Sequence, residues 1–273
     1  MNGFVRLLGV EMRRALHRRF VRWMIALASS LCAATGVLVY LTSRDPVEMA
    51  RSADHPANMV TWWKHGGGGG DSLLLTAALF LVIGAAMCGA SVAGAEWRAG
   101  TVTTVLTWEP SRLRLHAART ASAGILAFVI GFAIQTVFLA SAIPGVVLNG
   151  TTDGVDGAWW IALMQAMVRI SFVTALVAVL AVSVATIGRN TSAALIALAA
   201  WALVVERTVA ALRPGWARFM ISENVGTVVP WTPLTGVEFE RPPVVALATL
   251  VGYLGVIVAL ATVSFARRDI AAT

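Results

Sequence analysis

Residues 96–119, EWRAGTVTTVLTWEPSRLRLHAAR, set four arginines and two glutamates between two of the most apolar runs of the chain. Side chains of this kind form ion pairs, cap helix ends or face a partner; they supply no nucleophile with an adjacent base. Other reactive constellations are missing. A P-loop needs G-x-x-x-x-G-K-[ST], because its lysine must reach the nucleotide phosphates. The only lysine is Lys64, and His65 follows it. H-E-x-x-H, G-x-S-x-G and C-x-x-C do not occur. His17, His55, His65 and His116 sit in four different contexts, and Asp54, His55, His65 and Asp71 match no metal-ligand spacing. Cys32 and Cys88 lie inside apolar runs and read as small packing residues. The expectation is a chain with no catalytic site and no metal or cofactor of its own.

The elements that must position the charged stretch follow from composition. Of 273 residues, 58% are hydrophobic and 13% charged, against roughly a quarter charged in a soluble domain. That balance predicts a single all-α polytopic membrane domain over residues 1–273. A crossing takes about 20 apolar residues as a helix. Six runs qualify, at residues 23–41, 72–95, 120–148, 158–187, 191–205 and 244–266. The fifth is the shortest, because Glu206 interrupts it. The first is too long for a signal-peptide core and has no good cleavage site, so it reads as an uncleaved span.

The net charge is +7, almost all of it arginine. No basic run sits in a soluble fold of its own, so the excess reads as loops against anionic lipid headgroups, and nucleic acid is not an expected partner. Arginines cluster before the first span, in 96–119, at Arg189 and at Arg267 and Arg268, which all fall on one side if each run crosses once. The positive-inside rule then places both termini and 96–119 in the cytoplasm. Loops 42–71 and 206–243 fall outside. Within 1–22, residues 2–17 predict an amphipathic interfacial helix, with Phe4, Leu8, Met12, Ala15 and Leu16 on one face. Five glycines at 66–70 make a flexible linker, and Trp62 and Trp63 before them are expected at the lipid interface. Pro214, Gly215, Pro230 and Pro233 punctuate 206–243, which predicts a short helical segment dipping back before the last span.

Ionisable groups within spans are costly and therefore functional candidates. Arg169 and Glu206 are the two, and one turn of helix could bring them together. Two small-residue stripes, Ala85–Gly89–Ala93 and Ala86–Ala90–Gly94, predict close helix packing, with a subunit interface as the alternative.

Within the insert, Gly100–Thr101 breaks and restarts a helix with Thr101 as cap. Val102, Val105 and Leu106 form an apolar face, and Pro110–Ser111 opens the helix leading into the third span. EWRAGT at 96–101 followed by LTWEPSR at 106–112 resembles the first cytoplasmic loop of ABC-2-type transporter permeases. The span layout and the tail FARRDI at 265–270 resemble that family too. The resemblance implies a coupling helix that contacts a separate ATPase through Glu96, Gly100, Thr101, Val102, Leu106, Pro110 and Arg112. It implies two ATPase subunits that bind ATP and Mg, and a second permease, identical or similar. It further implies export across a bacterial cytoplasmic membrane, with Arg169 and Glu206 as pathway candidates. The rivals are an ion-coupled secondary carrier, which would want acids deep in its spans, and a non-transporting scaffold or sensor subunit. Trp97 and Trp108 have no evident role in the sequence.

Overall fold

A computed structural model describes residues 3–43, 58–63, 73–233 and 240–267. The metal-ligand set considered above (Asp54, His55, His65 and Asp71), the glycine run and most of 42–71 lie outside the described residues, as do 268–270 of the tail. Nine helices are described: α1 (Gly3–His17), α2 (Arg19–Thr42), α3 (Leu73–Arg98), α4 (Val102–Trp108), α5 (Arg112–Asn149), α6 (Gly157–Gly188), α7 (Thr191–Leu212), α8 (Ile221–Val228) and α9 (Pro243–Arg267). Short 3-10 turns lie at Met59–Trp62 and Pro214–Phe219. Among the described residues there is no β-strand, only one bridge between Asn58 and Thr151.

The helices α2, α3, α5, α6, α7 and α9 are each long and apolar enough to cross a membrane. In hydrocarbon only a helix satisfies its own backbone within one segment, so such runs have no stable alternative. Side-chain caps mark where several begin. Ser111 accepts from the Arg114 amide, Asp156 from the Trp159 amide, and Asn190 from those of Ser192 and Ala193.

The bundle is built on two crossings. α2 lies on α5 and α3 on α6, while α5 and α6 pack together at the centre; α9 flanks α6, and α7 leans on α3 and α6. The small-residue stripe of α3 is used inside the chain. A Cβ on Gly89 would stand 2.5 Å from the Ala178 carbonyl oxygen of α6, so only glycine lets the two backbones meet there. α2 and α3 touch little.

Two expectations need correction. The fifth span does not stop at Val205. The helix runs on through a π turn at Trp201–Val205 to Leu212, because Glu206 points inward and is hydrogen-bonded rather than ending the helix. Trp62 and Trp63 are not at a lipid interface. They are 0% and 1% exposed and belong to the core at the end of the bundle away from the arginines. Trp159 Nε1 donates to the Trp63 carbonyl at 3.2 Å, and the Met59 amide donates to Thr151 at 3.1 Å, so this turn is threaded into the helices. Of the expected apolar face of α1, Ala15 is buried and Leu8 and Met12 are half-buried against the bundle, while Phe4 and Leu16 are exposed; Glu11 is buried beside them.

Candidate functional site

The charged stretch folds into a helix–turn–helix–turn–helix at the arginine-rich end. α3 ends where Gly100 takes φ +66°, and the Thr101 amide reaches back to the Glu96 carbonyl at 3.1 Å. That left-handed residue with a six-to-one bond is a Schellman stop, which glycine adopts without the Cβ penalty. Thr101 stands at the start of α4, but its side chain makes no capping bond. Thr103 Oγ1 instead donates to the Gly100 carbonyl at 3.2 Å. Glu109 Oε1 accepts from the Ser111 amide at 3.2 Å, and Ser111 caps α5.

The apolar side of α4 is turned toward its own chain. Val102 is 2% exposed and forms a small core with Leu115 of α5 and Phe265 of α9, with Trp97, Val105 and Leu106 packed on it. The sequence left Trp97 without a role; its ring meets Phe265 edge-on and lies 4.7 Å beneath the Arg189 guanidinium. Arg112 donates to the carbonyls of Phe265 and Ala266, tying the start of α5 to the end of α9. What α4 leaves outward is Thr103, Thr104, Thr107 and Trp108, the last 85% exposed.

Glu96 is not part of that outward surface. It is buried and accepts from three arginines: Arg14 at 3.0 Å, Arg18 at 2.8 Å, and the buried Arg119. Glu11, also buried, pairs with Arg14 at 2.6 Å and Arg119 at 3.4 Å. Arg18 further donates to the carbonyls of Ser91 and Val92. Burial pulls the Arg18 guanidinium below its ordinary value, and Glu96 opposes that shift. Five charged side chains thus bind α1, the α1–α2 junction, α3 and α5 into one unit. The sequence did carry a signal for it: Glu11, Arg14 and Arg18 recur at spacings of three and four, which puts them on one helical face.

Of the residues assigned to partner contact, the structure therefore places Glu96 and Val102 inside the fold. Leu106 and Arg112 are partly covered, and Gly100, Thr101 and Pro110 are at the surface. Arg169 and Glu206 are not brought together. Arg169 Nε donates to the Val229 carbonyl at 2.9 Å, and its guanidinium lies 5.8 Å from the Trp231 ring. Glu206 caps α8 from another helix. Oε1 accepts from the Ile221 amide and the Trp201 indole, both at 2.8 Å, and Oε2 from the Ser222 amide at 2.9 Å. A carboxylate is well placed at a helix N-terminus, where amides lack partners. Glu206→Ala is expected to cost about 1.5–3 kcal/mol, the range for hydrogen bonds to a charged group. Hydrogen exchange should then quicken at Ile221 and Ser222; unchanged protection at both would show that the cap does not hold α8.

These features define the chain as an all-α, multi-pass membrane protein with a compact charged cluster at one end of its bundle. No protein-family model matches the chain, and no curated protein matches it in sequence.

Proposed function

We infer that the chain is the permease subunit of an ATP-binding-cassette exporter of the ABC-2 type, driven by separate ATPase subunits. In that reading a second permease, identical or similar, completes the pathway, and two ATPases bind ATP and Mg. Both termini and α4 face the cytoplasm, as the arginine distribution requires. The observation that carries the reading is α4: a single short helix held out between two membrane-length helices, with Trp108 projecting into solvent. An exposed tryptophan at a rigid corner suits an anchor for a partner's pocket. Glu96 and Val102 act here as supports. The Val102–Leu115–Phe265 core, with Trp97 packed on it, fixes α4 to α3, α5 and α9, and the ion cluster ties α3 and α5 to α1, so a push on α4 is passed to the bundle. The ion-coupled carrier has less support, because the carboxylate oxygens of Glu206 are already committed to Trp201, Ile221 and Ser222.

The test uses the outward face of α4. Val102→Asp would place a charge in a closed core and report only misfolding. Thr104→Arg and Trp108→Glu change the surface alone. Tagged protein extracted from its native membrane in gentle detergent is expected to carry ATPase activity through affinity purification. Both variants are expected to lose that activity while eluting normally on size exclusion. An intact wild type that brings down no ATPase would sink the exporter reading.

A further inference from the structure

Because α2 and α3 scarcely meet, a cavity of about 500 Å³ remains between them, floored by α5 and α6. That is within the range of small-molecule sites, roughly 300–1,000 Å³. Its lips are Leu27 and Leu31 of α2 and Phe80 and Ile83 of α3, all more than half exposed, so it opens sideways, toward what would be lipid. Among the described residues that line it none is charged. A charged occupant would find no counter-ion there, so the cavity suits a neutral one.

One polar group on this lining is unspent. Gln135 of α5 lies on the floor and is 1% exposed. Its Nε2 donates to the Gly131 carbonyl at 3.1 Å, the Met167 carbonyl at 3.2 Å and Ser171 Oγ at 2.9 Å. Ser171 Oγ gives its own hydrogen to the Met167 carbonyl at 2.8 Å, so it accepts from Gln135. Turning the amide over would set its oxygen against two carbonyls, which fixes the orientation. Oε1 is the atom left over, and it is buried with no donor among the described residues. The two threonines of the lining do not supply one, because Thr35 donates to the Leu31 carbonyl and Thr174 to that of Ile170. Gln135 stands about 24 Å along α5 from Arg119 at 1.5 Å rise per residue, within a hydrocarbon core of roughly 30 Å. A carbonyl buried there without a donor carries a desolvation cost, which a ligand's hydroxyl would remove.

We propose that the α2–α3 groove holds a neutral, hydrocarbon-bodied molecule with a single hydroxyl, which donates to Gln135 Oε1. The hydroxyl lies level with Cys32, whose thiol is turned to the Ile134 carbonyl at 3.9 Å. The apolar body runs along α2 toward Val21, about 16 Å away at 1.5 Å rise per residue. A plain lipid tail would fill the same slot but leave Oε1 unpaired. The proposal does not depend on the exporter reading, and it holds equally for a carrier or a scaffold.

The full-length protein, purified in mild detergent, is incubated with dodecanol or with its methyl ether, and retained ligand is counted by native mass spectrometry. The ether keeps the tail and lacks only the donor. Wild type is expected to retain the alcohol in preference by about tenfold, the order of one hydrogen bond. Gln135→Met, of similar length, should hold both alike. Gly84→Phe fills the slot without meeting backbone, since the nearest atom to a Cβ there is Met24 Cε at 3.7 Å. It should lose both ligands. The chain's glutamines are Gln135 and Gln165 alone. A Gln165→Asn protein made with glutamine isotope-labelled at the side-chain carbonyl therefore reports Gln135 in the infrared, with no change at the site itself. Its carbonyl band should fall on adding the alcohol and stay in place with the ether. Equal retention of the two by wild type, as a slot for any tail would give, overturns the proposal. So does undiminished retention by a normally eluting Gly84→Phe variant. A labelled carbonyl that the alcohol does not move would assign Oε1 to internal water and overturn it as well.

Discussion

Replacing Glu96 by glutamine is expected to destabilise the protein by about 3–5 kcal/mol, the cost of removing one partner from a buried charge pair. The size of the effect follows from what is left behind. Arg14, Arg18 and Arg119 share this carboxylate, and Arg119 is only 4% exposed. Without it, Glu11 alone faces three guanidinium groups, and Glu11 pairs with only two of them. Thermal unfolding of the purified protein in detergent measures the loss. Because Glu11, Glu96 and Arg119 are buried, added salt should do little to relieve the loss at Arg119. The double variant Glu96→Gln with Arg119→Met should recover much of the stability, since it removes the stranded charge as well. A single variant that melts within a degree of wild type would mean that the cluster does not hold α1 to the bundle.

The second large effect concerns the crossing of α3 and α6. Gly89→Leu is expected to reach or exceed the roughly 3 kcal/mol upper end of overpacking costs. Its Cβ would stand 2.5 Å from the Ala178 carbonyl oxygen and 3.1 Å from the Ala178 Cα, and backbone cannot swing away as a side chain can. The helices must part, and α5 and α7 lean on the same pair. The same substitution at Gly255 on α9, where nothing lies within 4 Å of an added Cβ, is the control and should be tolerated. Fluorescence-detected size exclusion of the two variants separates these outcomes. A monodisperse Gly89→Leu protein at wild-type yield would refute the close crossing.

The membrane-length helices were legible because each is a nearly unbroken apolar run, and such runs have one stable form in lipid. The insert's turns were legible for a similar reason: Gly100 and Pro110–Ser111 act locally, through backbone geometry and a cap. What escaped the sequence depends on partners distant along the chain. Glu206 reads as an interruption in a one-dimensional hydropathy pattern, yet it lies inside the fold because Ile221 and Ser222 come back to it. Trp62 and Trp63 fit the rule for interfacial aromatics, and nothing local announces that Trp159 and Thr151 draw their turn inside. The resemblance of 96–112 to a permease loop implies a contact role for Glu96, and nothing near it in sequence shows that its arginines come from positions 14, 18 and 119. The apolar face of α4 carries the same ambiguity, and Val102 is buried against its own chain. An apolar stripe shows that something covers it, but not whether the cover is Phe265 of the same chain or a separate protein.

Helix α5 runs from Arg112 to Asn149, with Pro144 near its far end, a length of about 57 Å. It therefore projects well past a hydrocarbon core of roughly 30 Å. One end is joined to α4 through Ser111 and to the charged cluster through Arg119, and near the other Ser141 donates to Cys32 of α2 at 2.8 Å. Mechanically this is a lever with a handle outside the bilayer. A tilt of one degree about the α4 end carries the opposite end by about 1 Å, so a small rotation of α5 where it leaves the cluster would move the far end of the α2–α5 seam by that much.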